Sequence, residues 1–204
     1  MFVQVIQGKV SDPAKVKAAF DRWIEELSPG AQGWLGSTTG VTDDGRCITL
    51  ARFASEEEAR RNSDRPEQGE WWSETSALFD GDVTFRESTE VDVDLEGDPD
   101  QAGFVQVMQG RVSDPDRARE LMNQNPEKWR ALRTDILGTV TAAHDGGEWT
   151  TAAYFTSEAA AREGESKQPP PELQALMEEM NSLNVGEVEY FDIRQPLLYS
   201  PRQT

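Results

Sequence analysis

The chain opens on an alternation. In Phe2 to Lys9, FVQVIQGK, the side chains of Phe2 and Ile6 fall on one face of an extended run and those of Val3 and Val5 on the other, so this β-rich stretch has two apolar faces. Ser11-Asp12-Pro13 then ends the strand and supplies a helix cap with proline in the first turn. The helix places Val16, Ala19, Phe20, Trp23, Ile24 and Leu27 on one stripe and ends near Pro29-Gly30. Two strand-like runs, 34–42 and 46–53, flank Asp43-Asp44-Gly45, a turn signal that predicts an antiparallel hairpin. Ser55 and Glu58 form a capping box for a second helical region, interrupted near Pro66, that carries Trp71, Trp72, Leu78 and Phe79 before Gly81 and a last strand at 82–86. Strand, helix, strand, strand, helix, strand is the split βαβ, or ferredoxin-like, order of an α+β fold.

The whole pattern then returns. FVQVIQGKVSDP at 2–13 reappears as FVQVMQGRVSDP at 104–115, identical at ten of twelve positions. The same offset of 102 carries Leu35-Gly36 onto Leu137-Gly138, and Phe53, Ser55, Glu56, Ala59 and Arg60 onto Phe155, Ser157, Glu158, Ala161 and Arg162. Three extra residues then bring Gly81, Val83 and Phe85 opposite Gly186, Val188 and Tyr190. We therefore read a first repeat at 1–90, an acidic linker at 91–103 and a second repeat at 104–204. The joining stretch 87–103 holds seven acidic and no basic side chains, a solvated composition. Its alternation Val91, Asp92, Val93, Asp94, Leu95 also suits a prolongation of the preceding strand along a sheet edge, with charges that discourage intermolecular pairing.

A four-stranded sheet of this type has helices on one face only. Because strand one is apolar on both faces, the expectation is two ferredoxin-like repeats packed sheet to sheet as an intramolecular α/β barrel. Each large apolar side chain so buried contributes about 1.5–3 kcal/mol.

Composition narrows the function. The 204 residues carry 38 acidic and 20 basic side chains, a net charge of −18, which repels nucleic acid and anionic membranes. The opening residues have no basic start followed by an apolar run, so the expected location is the cytoplasm. One cysteine, Cys47, and one histidine, His144, cannot build a zinc site of the usual nitrogen and sulfur type. Neither a Walker loop nor G-x-G-x-x-G nor a G-x-S-x-G nucleophile elbow occurs, and no cofactor is expected.

Two such units in one chain, with long second helices ending in aromatics and stretches such as ARFASEEEARRNSDRPEQGEWW, resemble the dimeric α/β-barrel superfamily, especially the antibiotic biosynthesis monooxygenase-like domains. The resemblance implies a pseudo-dimer within one chain, with further homodimerisation left open. It also implies a small-molecule ligand between the sheet and the helices of a repeat, and oxygenation of an aromatic substrate without a cofactor. The rival function is a non-catalytic binding or assembly module.

Candidate ligand-binding residues follow, each with a structural alternative. Gln4 and Gln106 either fix strand register through hydrogen bonds or orient a ligand carbonyl. Trp71 and Trp72 point about 100° apart on a helix, so one belongs to the core and the other lines a pocket or an interface. Asn62 invites comparison with the asparagine that family oxygenases use to hold an aromatic substrate, against a plain helix-end role. Arg52 and Arg86 either stabilise an enolate or phenolate or serve as ordinary surface partners. Cys47 and Thr49 are packing positions on strand three.

In the second copy Asn62 becomes Gly164, Arg52 becomes Tyr154, Arg86 becomes Phe191, and the twin tryptophans meet Leu176 and Met177. Its first helix breaks at Asn125-Pro126, with Asn125 expected to cap a new segment containing Trp129. The first repeat is thus the expected site. His144, beside Asp145-Gly146-Gly147, reads as an exposed turn residue, which argues against the haem chemistry of some family members.

Overall fold

The computed structural model describes residues 1–94 and 97–201. It divides into two compact units: Met1–Val91 together with the segment from Gln195 onward, and Asp92–Arg194. The first contains β1 (Phe2–Lys9), α1 (Pro13–Arg22) continued by a π-helical turn at Trp23–Leu27, β2 (Trp34–Val41), β3 (Arg46–Phe53), α2 (Glu56–Ser63), α3 (Pro66–Ser76) and β4 (Thr84–Ser88). The chain continues through β5 (Glu90–Asp94), β6 (Phe104–Arg111), α4 (Pro115–Met122), α5 (Pro126–Leu132), β7 (Ile136–Ala143), β8 (Glu148–Phe155), α6 (Glu158–Ser166), α7 (Pro171–Leu183), β9 (Glu189–Ile193) and β10 (Leu197–Tyr199). The two sheets have strand orders β10-β2-β3-β1-β4 and β5-β7-β8-β6-β9, so each contains the ferredoxin-like core of one repeat plus one added edge strand.

The added strands are where the chain departs from the simplest reading. Glu90–Asp94, placed in the linker by composition, forms β5 and lies beside β7 in the second sheet instead of prolonging β4. Leu95, the last position of that alternation, lies outside the described residues. The segment after β9 supplies β10, which pairs antiparallel with β2 from Leu197↔Thr39 to Tyr199↔Ser37. Each sheet thus receives an edge strand from a segment adjoining the other repeat.

Local chemistry accounts for the helix boundaries. Asp12 and Asp114 accept from the backbone N–H groups of Lys15 and Arg117 at 3.2 and 3.0 Å, and Ser55 and Ser157 cap α2 and α6 in the same way. Pro66 opens α3 after the break at Asp64-Arg65. In the second repeat the break falls where expected, but Asn125 makes no side-chain cap. It adopts a left-handed conformation, φ 52°, which asparagine tolerates, and Pro126 begins α5.

Register puts Phe2, Gln4, Ile6 and Gly8 of β1 on the helix side with Phe53, Ala51, Thr49 and Cys47 of β3. The opposite face carries Val3, Val5, Ile48 and Leu50, all 0–1% exposed, and in the second unit Val105, Val107, Val140 and Ala152, all fully buried. Both faces of each sheet are therefore dry at their centres, as the two-faced alternation of strand one predicts.

The repeated Leu-Gly pair is explained by a bulge. Register slips between Trp34 and Gly36 and again between Ile136 and Gly138. At Gly36 φ is 129°, and a Cβ there would stand 2.6 Å from the Tyr199 carbonyl oxygen of β10 and 2.6 Å from Arg52 Nη2. Gly36→Ala should lower stability by about 2–3 kcal/mol in urea denaturation. Gly69, in the interior of α3 with nothing within 4 Å, provides the contrast. Gly69→Ala should raise stability by about 0.5–1 kcal/mol, and equal effects of the two substitutions would contradict this placement.

Candidate functional site

The space between the helices and the sheet of the first unit is filled by rings. Phe20 meets Trp71 edge to face at 5.6 Å, and Trp23 meets Trp34 at 5.1 Å and Trp71 at 6.4 Å. The chain of contacts runs on from Trp71 to Trp72 at 6.1 Å, then to Phe79 at 6.4 Å and Phe85 at 5.3 Å. Its inner end is dry and polar-satisfied. The indole N–H of Trp71 donates to the Ala19 carbonyl, that of Trp23 to Gln68 and that of Trp34 to Ser37. Its outer end is not dry: Trp72 and Phe79 are half-buried, and Phe85 on the edge strand β4 is 47% exposed. Of the twin tryptophans, Trp71 is the buried one and Trp72 the one reaching the rim.

Gln4 also faces the helices, where it belongs to a polar network. Its Nε2 donates to Glu87 Oε1 at 2.9 Å, and Arg60 of α2 donates to both Glu87 oxygens while lying over the Phe2 ring at 5.7 Å. The second repeat repeats the arrangement: Gln106 Nε2 donates to Asp192 at 2.9 Å, Arg162 donates to Asp192 and lies 5.4 Å from the Phe104 ring. A glutamine of strand one, a carboxylate of strand four and an arginine of the second helix thus tie three elements together in each copy. Sequence reasoning found the glutamines and missed their partners, although Arg60 and Arg162 stand in register and an acid follows Arg86 and Phe191 alike. The Arg60 guanidinium holds the Glu87 carboxyl below its ordinary range, against a smaller opposing effect of burial.

The other candidates do not converge on the aromatic end. Asn62, buried on α2, accepts from Arg65 Nη1 at 2.9 Å, and the same nitrogen donates to the Leu27 carbonyl at 3.1 Å, so Asn62 ties the end of α2 to the end of the first helical segment. Gly164 stands in its place in the second unit because a Cβ there would lie 2.3 Å from Asp135, itself paired with Arg133 at 2.8 Å. Arg52 and Arg86 align with Val3 and Val5 on the sheet face away from the helices. Arg52 is only 9% exposed and its Nε meets no hydrogen-bond partner. Thr49 shares a hydrogen bond with Thr39 at 3.0 Å, repeated by Thr141 and Thr151 at 2.9 Å. His144 lies at the β7–β8 turn as expected, but it is half-buried, its Nε2 3.0 Å from Thr150 Oγ1. Among the described residues no group of three or more His, Cys, Asp or Glu side chains could hold a metal ion, and no helix is long and apolar enough to cross a membrane.

With this geometry in hand, the chain can be set beside solved structures. A candidate monooxygenase from Fusobacterium nucleatum superimposes with a TM-score of 0.76 at 10% identity, over 98% of this chain and 94% of its own. A candidate monooxygenase from Lactobacillus acidophilus NCFM gives 0.72 at 10% identity, over 97% and 98%. An anthrone oxidase-like protein gives 0.66 at 11% identity, over 97% and 92%. The chain has the fold of these proteins. Neither a protein-family model nor a curated protein matches the sequence. The likeness spans nearly the whole of each chain, so the two-sheet fold is shared end to end.

Two outcomes test the site as described. Glu87→Gln should destabilise the protein at pH 7, and the difference from the parent should shrink as pH falls below about 4.5, where the carboxylate of the unfolded chain takes up a proton first, and disappear once pH passes the lowered range of the folded carboxyl and its contact with Arg60 is lost. A difference of the same size at pH 7 and pH 3, measured by urea denaturation, would contradict the contact. Cys47 is 1% exposed and burial pushes its thiol up to about 12. The native protein should therefore resist Ellman's reagent at pH 8 and release its single thiol only on unfolding, whereas rapid native reaction would place Cys47 outside the core.

Proposed function

We propose that the protein binds a small aromatic molecule at the outer end of the ring cluster in its first repeat, and that the second repeat serves mainly as a structural partner. The observation that supports this is the run from Trp71 through Trp72 to Phe85, which passes from full burial to 47% exposure within one continuous set of ring contacts. A flat ligand packed against Trp72 and Phe85, whose ring planes lie 71° apart, would meet one ring face-on and the other edge-on and bury apolar surface that now meets water. The second repeat offers Leu176, Met177 and Tyr190 at the corresponding positions, with one aromatic instead of three rings in contact.

An aromatic ketone or phenol as the substrate class is supported by the fold neighbours, two named as candidate monooxygenases and one as anthrone oxidase-like. In a cofactor-independent oxygenation the deprotonated substrate would itself pass an electron to dioxygen, and the protein would bind it, exclude water and stabilise the anion. A second reading, a non-catalytic binding module, is favoured by one specific observation. Gln4, Asn62 and the indoles of Trp23, Trp34 and Trp71 already have partners inside the protein.

Anthrone titrated against tryptophan fluorescence, with dioxygen consumption followed in parallel, separates these readings. Binding is expected to be saturable and to weaken about tenfold in Trp72→Ala, the loss of one stacked ring being worth about 1–1.5 kcal/mol. Saturable binding with dioxygen uptake supports oxygenation, and binding without uptake supports the non-catalytic module. No saturable quenching, or a Trp72→Ala variant that binds as the parent does, would contradict the site.

A further inference from the structure

Beside α1 and the end of α3, a concavity of about 330 Å³ is lined by Lys15, Ala18, Ala19 and Arg22 of the first helix and by Glu74, Thr75 and Leu78. Its floor is small and apolar, and its rim is charged. Lys15 stands 3.4 Å from Asp12, and Arg22 Nη2 lies 2.6 Å from Glu74; all four side chains are largely exposed, so these pairs exchange partners at little cost. The lining itself holds two cations and one carboxylate, and Asp12 balances Lys15 from outside it, so an incoming carboxylate would compete with Asp12 and Glu74 for the two cations.

The floor holds an anomaly. Thr75 is 1% exposed, and its hydroxyl, closed to solvent, meets no hydrogen-bond partner. A buried hydroxyl without a partner is a cost that native proteins rarely leave standing. In a helix threonine divides between two χ1 rotamers, so one rotation exchanges its hydroxyl and methyl positions, and Thr75 is part of the lining of the concavity.

We infer that this concavity binds a small amphiphilic carboxylate, with the apolar tail on Ala18, Ala19 and Leu78, the carboxylate between Lys15 and Arg22, and the Thr75 hydroxyl donating to it. The volume suits a short-chain organic acid. The site is independent of the aromatic end proposed above, and neither depends on the other.

Sodium octanoate is the probe, followed by amide and methyl chemical shifts in the intact protein, with octylammonium and octanol as controls. Octanoate should shift Ala18, Ala19, Thr75 and Leu78 saturably and bind about tenfold more tightly than octylammonium. Thr75→Val should weaken octanoate by about tenfold, as expected for a lost hydrogen bond to a charged group, while leaving the melting temperature at or above that of the parent because the orphaned hydroxyl is gone. Thr75→Ser, which keeps the hydroxyl, should restore binding. Equal affinity for octanoate and octylammonium, shifts scattered outside the concavity, or unchanged octanoate binding in Thr75→Val would each overturn the assignment.

Discussion

A ferredoxin-like sheet carries its helices on one side, yet here both sides are out of water, and that double burial governs everything else in the molecule. Val3 and Val5 on one face of β1 are as buried as Phe2 on the other. In such a sheet a polar side chain at a central position must find a partner within the protein or carry a desolvation cost of about 1–3 kcal/mol. Few positions are therefore left for chemistry. Gln4 and Gln106 meet the condition through a carboxylate and an arginine apiece, and the paired threonines of the central strands meet it through each other.

Duplication makes the divergence between repeats readable. The strand-one glutamines, the second-helix arginines, the helix caps and the Leu-Gly bulges persist in both copies because each closes a geometric or hydrogen-bonding requirement of the fold. The rings do not persist. The first unit packs Phe20, Trp23, Trp34 and Trp71 beneath its helices, whereas the second has a core around Phe104, Ala153, Phe155 and Ala161. A requirement of the fold would appear twice, so the ring cluster reports something particular to the first repeat.

The repeat, the order of elements and the two-faced strand were legible because each is a periodicity or a cap that local sequence encodes. The strand at Glu90–Asp94 was half legible: its alternation read as a strand, but which sheet it joins is a long-range pairing that seven acidic residues in the stretch 87–103 disguised as a linker. The pairing of β10 with β2 left no signal short of the glycine at position 36, which admits the Tyr199 carbonyl. Among site candidates, residue type alone did not encode which partners each side chain meets. Asn62 clamps Arg65, a contact between side chains that residue type does not encode, and Arg52 lies on the opposite face from the rings because it shares its parity with Val3. Trp71 is buried and Trp72 half-buried, a division that about 100° of helix rotation between neighbours imposes.

The most direct test of double burial uses the single native cysteine. In a Cys47→Ala background, Val5→Cys places a thiol on the face of β1 that no helix of its own unit covers. The account predicts that a small maleimide labels it in the native state no faster than the protein unfolds, as a residue 1% exposed at the parent position requires. Rapid labelling of the folded protein would show that face to be wet, and the double burial of the sheet would be gone.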